Sequence, residues 1–536
     1  MLTKTQPDEI QGYLSDASFV KRGRADRVVF PESADDVAQI LAEATRNQTP
    51  VTVSGAGTGT VAGRVPFGGI VLATDKLNRI GKIIRKDKEG LVTAEAGVRL
   101  NDLQRAVESE GLLYPPDPTE GSCFIGGNVA TNASGARTFK YGPTRNYVAA
   151  LKIVLATGEV VSLHRGNLHA DDQNQIALPL SSGRTISAQL PSYQMPRVRK
   201  HAAGYYIAPR MDVIDLFIGS EGTLGVIVEA ELKLIDKPEG LLSGVVFFTD
   251  ESNLLEFIRD ARERSLANRD LSGNSTVSES ANDGGRSLTV REGANDRGSS
   301  PTVREGSRLA ARALEYFDVE SLRFLRQKYA AVPPRAICAI FFEQETTAST
   351  EDPLLTEWLS LLETHNALTD DSWFATNQQD HAKLREFRHA LPVLMNEWFA
   401  QHNQKKVSTD MAVPDEAFAG MLRFYQESLR SSDLRYTIFG HIGDNHVHVN
   451  ILPRNDIEAQ TAWEIYRRFI KRAIEVGGTV SAEHGIGKLK REYLRELYGE
   501  AHLREMAALK RAFDPAGILG RGNMFDENYL SVVSGQ

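Results

Sequence analysis

The sequence predicts an α+β protein with more than one domain, and three observations lead to this. At 536 residues the chain is longer than one hydrophobic core commonly supports. Its first half alternates short predicted strands with glycine-rich turns, after one amphipathic helix near the start. Its second half carries longer helical patterns between strands, which predicts a second α+β domain.

The first predicted elements are a strand, a helix and two further strands. Val28–Pro31 is predicted as the first strand, and Ser33 stands at the N-cap position of the helix that follows. The helix has one apolar face, formed by Val37, Ile40, Leu41 and Ala44. Further strands are predicted at Pro50–Val53, Ile70–Ala73 and Val226–Ile235, the last from strict alternation of apolar and polar residues.

The second half contains predicted helices at Pro353–His365, His381–Phe399 and Ala459–Val476. A tandem repeat interrupts it, because Thr276-Val277 recurs every 13 residues, at Thr289-Val290 and Thr302-Val303. The repeat is rich in Ser, Gly, Asn and Arg and cannot bury enough apolar surface to order itself. Residues 268–307 are therefore predicted to be a disordered insertion without a role in the chemistry.

Composition and charge narrow the classes of protein that this chain represents. Apolar residues make up 41% and charged residues 25%, as in ordinary globular proteins. The formal net charge of -8 argues against nucleic acid as a partner, since phosphate binding needs a concentrated basic surface. Two cysteines, Cys123 and Cys338, are too few for a cysteine-ligated iron–sulfur cluster and argue against a disulfide framework.

The hydropathy of the chain predicts the cellular compartment of the protein. Residues 1–16 lack the apolar core of a signal peptide. No stretch approaches the roughly 18 apolar residues that cross a bilayer. We therefore expect a cytoplasmic protein, and peripheral contact with a membrane stays open.

A glycine-rich loop, Gly55–Gly59, follows the strand at Pro50–Val53. Backbone amides in such a loop can approach a pyrophosphate closely, but a plain turn has the same composition. A Rossmann dinucleotide site is a further alternative, because Asp75 lies about 20 residues downstream, as that motif requires. Against it, Thr60 stands at the third glycine position, and Pro66 lies where a helix should run.

Three more glycine-rich stretches accompany this loop, namely Tyr114–Gly142, Gly142–Val148 and Asp215–Ile227. Together with the loop they resemble FAD-linked oxidases and dehydrogenases of the vanillyl-alcohol oxidase type. Within that family the chain is most similar to the branch of glycolate oxidase subunits, D-lactate dehydrogenases and D-2-hydroxyglutarate dehydrogenases. The resemblance implies a two-part FAD-binding domain of this type plus an α+β substrate (cap) domain.

The resemblance also implies which residues bind FAD. The positions that match are Gly55, Ala56, Gly57, Thr58, Gly59, Pro116, Asp117, Gly126, Gly127, Asn128, Thr131, Asn132, Gly135, Glu221, Gly222, Thr223 and Gly225. Relatives with a covalent flavin often carry a histidine in the first loop. None lies between Ser54 and Gly69, so non-covalent FAD is expected. This chain also inserts a polar stretch, Arg165–Met195, which covers the cleft or only decorates the surface.

A predicted β-hairpin brings histidines together in the second half. Arg435–Gly440 is predicted as a strand, HIGD as a turn, and His446–Leu452 as an alternating return strand. The hairpin places His441 near His448, and two imidazoles with one carboxylate are typical of a catalytic metal site. Glu483 in the stretch SAEHGIGK is the candidate carboxylate. Histidines that serve only as hydrogen-bonded polar residues are the alternative.

The resemblance assigns roles to these side chains. Relatives carry GHxGDGNxHxN and SxEHGxG motifs, in which His441, His448 and Glu483 match the ligands of a divalent metal, with zinc or manganese expected. Asn450 matches a substrate contact and His484 the catalytic base.

The match has one departure and one ambiguity. Relatives have Gly-Asn where this chain has Asn445-His446, and whether His446 joins the metal stays open. Arg388 in LREFRHALP matches the arginine that binds the substrate carboxylate, with Arg385 as the other register. A solvated helix face is the alternative for Arg388.

The implied activity is FAD-dependent oxidation of a small, D-lactate-like D-2-hydroxy acid to the 2-keto acid. The metal would hold the substrate, His484 would take the hydroxyl proton, and hydride would pass to flavin N5. Electrons would leave to a separate acceptor, a quinone, a cytochrome or another flavoprotein, and a homodimer stays open. The alternatives are a metal-dependent hydrolase with the same ligands and a relative that uses FAD for a different reaction. The predicted domains are 1–236 for FAD, 237–505 for substrate and metal, and 506–536 returning to the FAD domain.

Overall fold

A computed structural model describes residues 1–271 and 308–530 of the chain. Within these residues nineteen strands form four sheets, and thirteen α-helices pack around them. The α+β class predicted from the sequence is confirmed. The predicted insertion at 268–307 lies outside the described residues, except for residues 268–271, which end a helix.

The first sheet is formed by β1 (Leu2–Lys4), β2 (Arg27–Phe30), β3 (Val51–Ser54) and β4 (Ile70–Ala73). β2, β4 and β3 are parallel neighbours in that order, and β1 pairs antiparallel with β2. α1 (Pro7–Ile10) precedes β2, and α2 (Ala34–Arg46) joins β2 to β3. The Ser33 hydroxyl accepts a hydrogen bond from the Asp36 amide, so the predicted N-cap is confirmed. No helix follows β3 before β4, which agrees with the argument against a Rossmann site.

The second sheet is built around one long strand. Its strands are β5 (Ile84–Lys86), β6 (Glu89–Glu95), β7 (Leu112–Leu113), β8 (Val148–Val154), β9 (Val160–His164) and β12 (Val226–Asp236). Between β9 and β12 in the chain, β10 (Gln175–Pro179) and β11 (Thr185–Gln189) form a separate two-stranded sheet. β12 pairs antiparallel with β6 on one side and β8 on the other, and its alternate residues are buried as predicted. The helices of this region are α3 (Leu100–Ser109), α4 (Ile125–Thr131), α5 (Thr138–Tyr141) and α6 (Ile214–Phe217).

The third sheet is antiparallel and has seven strands. They are β13 (Gly240–Phe248), β14 (Ala311–Phe317), β15 (Cys338–Thr346), β16 (Trp373–Ala375), β17 (Val407–Ser408), β18 (Arg435–Gly440) and β19 (His448–Leu452), in the spatial order β16-β13-β15-β14-β18-β19-β17. Alternate residues of β13 enter two different cores: Val246 and Phe248 face one, Val245 and Phe247 the other.

Seven helices accompany this sheet in the described residues: α7 (Glu251–Leu271), α8 (Val319–Arg326), α9 (Glu351–Thr364), α10 (Gln378–His402), α11 (Phe418–Arg430), α12 (Asp456–Glu475) and α13 (Arg491–Phe513). α9, α10 and α12 correspond to the three predicted helices, with ends that differ by one to three residues. α13 is interrupted at Gly499, which has a φ of 81°. The insertion at 165–195 forms the β10–β11 hairpin and packs on α13, where the Tyr193 and Tyr498 rings stack at 4.0 Å.

The largest hydrophobic core is shared between the second and third sheets, so the two regions pack directly on each other. The segment after α13 returns to the first sheet, because the Val51 amide donates to the Ile518 carbonyl at 2.8 Å. The predicted domain boundaries at 236/237 and 505/506 stay predictions. Among the described residues, no helix combines the length and apolarity needed to cross a bilayer.

Candidate active site

A cleft of about 1000 Å³, a volume that includes the open space at its mouth, is lined by the glycine-rich segments singled out in the sequence. Twelve of the predicted FAD residues line it, namely Gly55, Ala56, Gly57, Thr58, Gly59, Gly126, Gly127, Asn128, Thr131, Glu221, Gly222 and Gly225. Segments that lie far apart in the sequence therefore meet around one cavity.

The first loop of this cleft is held by an arginine that sequence reasoning missed. Arg64 donates hydrogen bonds to the Gly55 carbonyl at 2.8 Å, the Ser54 hydroxyl at 3.0 Å and the Gly12 carbonyl at 2.7 Å. Gly57 has a φ of 84°, and a Cβ there would lie 2.4 Å from the Arg64 guanidinium. The positive φ at position 57 favours glycine, and the missing side chain leaves room for the Arg64 guanidinium.

The other five predicted FAD residues, Pro116, Asp117, Asn132, Gly135 and Thr223, are not among the residues that line the cleft. Asp117 forms an ion pair with Arg137 at 3.1 Å. The Asn132 side-chain oxygen accepts from the Arg145 amide, and the Thr223 hydroxyl bonds to the Tyr205 hydroxyl at 2.8 Å.

Glu221 connects the cleft to the SAEHGIGK loop. Its carboxylate accepts hydrogen bonds from the Ile486 amide at 2.6 Å and the Gly487 amide at 2.7 Å. Burial raises the pKa of Glu221 to about 7, although these two amides oppose the change. The contact fixes this loop, with Glu483 and His484, against the edge of the cleft.

A cluster of three histidines and one glutamate lies beside the cleft. His441, His446, His448 and Glu483 each offer one ligand atom within 4.8 Å of the others, and we refer to these four residues as the His/Glu cluster. The β18–β19 hairpin forms as predicted, with Phe439 opposite His448. Asn445 at its turn has a φ of 53°, a left-handed conformation that asparagine tolerates.

Two of these imidazoles are oriented by neighbours that lie outside the cluster. His441 Nδ1 lies 2.6 Å from Glu315 Oε1, and His448 Nδ1 lies 3.0 Å from the Thr409 carbonyl. Because both Nδ1 atoms face acceptors, both Nε2 atoms are left toward Glu483, at 3.3 Å and 3.9 Å. Metal-binding histidines typically have an acceptor on the outer nitrogen in this way.

The donor set of the cluster fits a divalent metal ion. Imidazole nitrogens and a carboxylate oxygen are ligands that suit zinc and manganese. The charge of the site points the same way. Burial lowers the pKa of His441, but Glu315 and Glu483 outweigh this effect and raise it to about 9, so these two carboxylates favour positive charge at this imidazole.

Two buried charged residues that sequence reasoning missed hold the loop of Glu483. Lys200 Nζ lies 2.6 Å from Glu483 Oε1 and 2.8 Å from the Gly135 carbonyl in the glycine-rich stretch Tyr114–Gly142. Asp410 accepts from the amides of Glu483 and His484 and from Lys490 Nζ. Neither residue lies within a motif that marks its partner, so only a three-dimensional contact could have identified it.

His484 lies between the cleft and the His/Glu cluster. Its side chain is 32% exposed and lines the cleft. Its ring stacks on that of His448, with centroids 5.7 Å apart and an angle of 13° between the planes. Nδ1 of His484 lies 3.4 Å from Asp410 Oδ2.

The two residues predicted to contact the substrate are connected to the His/Glu cluster less directly than His484 is. Asn450 lies two residues beyond His448 in β19 and is buried, with Nδ2 3.4 Å from the His448 carbonyl. Arg388 in α10 pairs with Glu315 at 3.2 Å and thus connects to His441 through that carboxylate. Arg385 is exposed on the same helix.

Comparisons with known proteins agree with this architecture. Residues 25–164 match the FAD binding domain family, and residues 300–524 match the C-terminal domain of FAD linked oxidases. The chain is 31% identical over 510 residues to D-lactate dehydrogenase of Anaerostipes hadrus, covering 94% of this chain and 90% of that one. It is 29% identical to glycolate oxidase subunit GlcD of Bacillus subtilis, covering 96% and 92%. It is 25% identical to D-2-hydroxyglutarate dehydrogenase of Stutzerimonas stutzeri, covering 97% and 95%.

A similar fold is found in a solved structure of alkyldihydroxyacetonephosphate synthase. The TM-score is 0.62 at 14% sequence identity, and the match covers 97% of this chain and 82% of that chain. The glycine-lined cleft, the two family matches and the full-length relatives lead to one conclusion. This chain belongs to the vanillyl-alcohol oxidase type of FAD-linked oxidases and dehydrogenases.

Proposed function

We propose that this protein oxidises a small D-2-hydroxy acid, similar to D-lactate, to the 2-keto acid with non-covalent FAD. The observation that carries the proposal is the position of His484, which lines the flavin cleft and also stacks on His448 of the His/Glu cluster. One imidazole thereby borders both the cleft that would hold the flavin and the cluster that would hold the metal. The names of the relatives, D-lactate dehydrogenase and glycolate oxidase subunit, support the class of substrate.

Each group in the site has a separate task in this proposal. FAD would supply the hydride acceptor, and a divalent metal, which His441, His448 and Glu483 would hold, would supply a Lewis acid for the substrate oxygens. His484 accepts the hydroxyl proton at Nε2, because its Nδ1 is directed at the Asp410 carboxylate. Asp410 therefore orients the base from the side opposite the substrate.

Arg388 and Asn450 are the proposed contacts of the substrate. A guanidinium can bond both oxygens of a substrate carboxylate, which favours arginine over lysine at this position. Because Glu315 already engages Arg388, a substrate carboxylate would share the guanidinium with that side chain. The proposed electron acceptor is a separate molecule. A cytoplasmic location and a homodimer stay predictions.

The hydrolase alternative would use the same three ligands to activate water. It gives no task to the glycine-lined cleft, and His484 would line that cleft without purpose. The two functions differ in a simple observable, since a hydrolase does not change the oxidation state of a flavin.

The test is anaerobic reduction of the bound flavin, followed by its visible spectrum. D-lactate, glycolate and D-2-hydroxyglutarate are added separately, and the L-enantiomers serve as controls. We expect bleaching by at least one of these acids, with the D form preferred where the acid is chiral, and loss of bleaching after the metal is removed with EDTA. A protein that binds no FAD, or whose flavin is bleached by none of these acids, would contradict the proposal.

A matched pair of variants tests the role of His484. His484→Gln removes the base, whereas His402→Gln removes an imidazole at the end of α10, bonded to the Trp398 carbonyl. We expect the rate of flavin reduction to fall only in His484→Gln, by roughly 100-fold or more relative to the wild type, which is the range for loss of a general base. Equal rates in the two variants would remove His484 from the mechanism.

A further inference from the structure

We propose that His446 is a further ligand of the metal, so that three imidazoles and one carboxylate hold the ion. The inference rests on the metal site of the proposed function and changes its coordination. At this position the resemblance predicts asparagine, so the third imidazole is a property of this chain. This third imidazole distinguishes the site from one in which only His441, His448 and Glu483 bind the metal.

The first argument is the burial of His446. Its side chain has no exposed surface, and within the described residues Nδ1 has no hydrogen-bond partner, while Nε2 lies 3.4 Å from Asp410 Oδ1. A buried polar group left in this state costs about 1–3 kcal/mol, so native structures almost always satisfy such groups. A metal ion on one nitrogen would satisfy it.

The second argument is the distance from His446 to the other ligands. His446 Nδ1 lies 3.8 Å from Glu483 Oε1. The corresponding distances are 3.3 Å for His441 Nε2 and 3.9 Å for His448 Nε2 from the Glu483 carboxylate. Ligands at about 2.1 Å from a tetrahedral zinc ion stand roughly 3.4 Å apart, so His446 falls in the same range as the predicted ligands.

The third argument is the environment of the outer nitrogen. His446 Nε2 lies 3.4 Å from Asp410 Oδ1, which leaves Nδ1 to face Glu483. Glu315 stands in the same relation to His441, and the Thr409 carbonyl to His448. Each of the three imidazoles thus has an acceptor on its outer side and its second nitrogen toward the centre of the cluster, as metal ligands do.

The consequence is a metal held by four protein atoms rather than three. Catalytic zinc sites commonly use three protein ligands and leave the fourth position to water or substrate. With His446 bound, a substrate would raise the coordination number instead of replacing a water at an open tetrahedral position. The metal is then expected to resist chelators more strongly than it would with two imidazoles.

The test counts imidazoles at the metal and measures its affinity. The FAD-bound protein is stripped of metal, loaded with one equivalent of zinc, and studied by X-ray absorption at the zinc edge. His446→Asn restores the residue of the relatives. His365→Asn is the control, because His365 is also buried beside a carboxylate, 3.0 Å from Asp260, but lies outside the cluster.

We expect three imidazoles in the wild type and in His365→Asn, but two in His446→Asn. Zinc affinity, measured by competition with a chelator, should fall at least about 10-fold in His446→Asn alone. Two imidazoles in the wild type would overturn the inference and leave the proposed function intact. Failure of the wild type to bind zinc or manganese would overturn both. If His446→Asn does not fold with FAD, the wild-type count decides.

Discussion

Glu315 provides a sharp test of the site, because it contacts His441, a proposed metal ligand, without itself belonging to the His/Glu cluster. Its Oε1 lies 2.6 Å from His441 Nδ1, and its Oε2 lies 3.2 Å from an Arg388 nitrogen. Glu315→Gln keeps the shape and an acceptor oxygen but removes the negative charge. His441 then loses the carboxylate that orients it, and Arg388 loses its counterion.

The expected loss of metal affinity in Glu315→Gln follows from its two contacts, with His441 and with Arg388. Loss of an outer partner of a metal-binding histidine typically weakens metal binding by about 10–100-fold, or roughly 1.4–2.7 kcal/mol. The unpaired positive charge of Arg388 repels the metal as well, so the effect should lie in the upper part of this range. The same change should slow flavin reduction at limiting metal.

Glu343→Gln is the matched control. Glu343 is also a buried glutamate, on the neighbouring strand β15, and it pairs with Arg312 at 2.7 Å but does not contact the cluster. Metal affinity is measured for both variants by competition with a chelator, with the flavin spectrum as a check of folding. Equal metal affinity in the two variants, whether weakened or unchanged, would refute the assignment of Glu315 to the metal site.

Three further outcomes are expected from other parts of the molecule. Lys200→Met should destabilise the metal-free protein by about 3–5 kcal/mol, because it removes the buried ammonium group that pairs with both Glu483 and Asp444. Urea unfolding in EDTA measures this loss, and a value below about 1 kcal/mol would contradict the prediction. Burial opposes ionisation of Glu343, but Arg312 and Arg137 lower its pKa from 4.5 to about 2. The ionised carboxylate therefore contributes fully to the free energy of unfolding above about pH 4.5, and this contribution is lost as the pH falls toward 2. The destabilisation by Glu343→Gln should therefore shrink by about 2 kcal/mol between pH 6 and pH 3, and a pH-independent difference would count against it. Gly135→Ala should lower stability by about 1–3 kcal/mol, since the new Cβ would lie 2.0 Å from the Asp117 carbonyl. Gly127→Ala is the control and should not lower stability, because its Cβ would have no atom within 4 Å. Thermal unfolding of both variants tests this, and similar losses would exclude the steric explanation.

The features that sequence patterns predicted well depend on interactions between close neighbours. The Ser33 cap bonds to the Asp36 amide three residues away, and alternation along β12 follows from the two faces of a single strand. The β18–β19 hairpin is similar, because a short turn joins the strands that bring His441 to His448. In each case a few consecutive residues contain the whole cause.

The predicted FAD residues show where this reasoning reaches its limit. The glycine pattern indicated the segments that line the cleft, but it did not separate lining residues from those that only position a segment. Thr223 bonds to Tyr205, and Asp117 pairs with Arg137, although both stand inside the motifs. A motif marks a stretch of chain, whereas the direction of each side chain depends on what packs against that stretch.

The amino-acid sequence alone was enough to predict the α+β class and the pairing of two histidines, since both leave local patterns. The glycine-lined flavin site followed from the resemblance of its motifs to those of FAD-linked oxidases. The surroundings of the cluster had to come from the tertiary structure. Glu315 reaches His441 because β14 pairs with β18, with Phe317 opposite Phe439. Lys200 contacts Glu483 across 283 positions of the chain. Buried charges need partners, but nothing in a single sequence states which distant residue will be the partner, because strand pairing and loop packing make that choice.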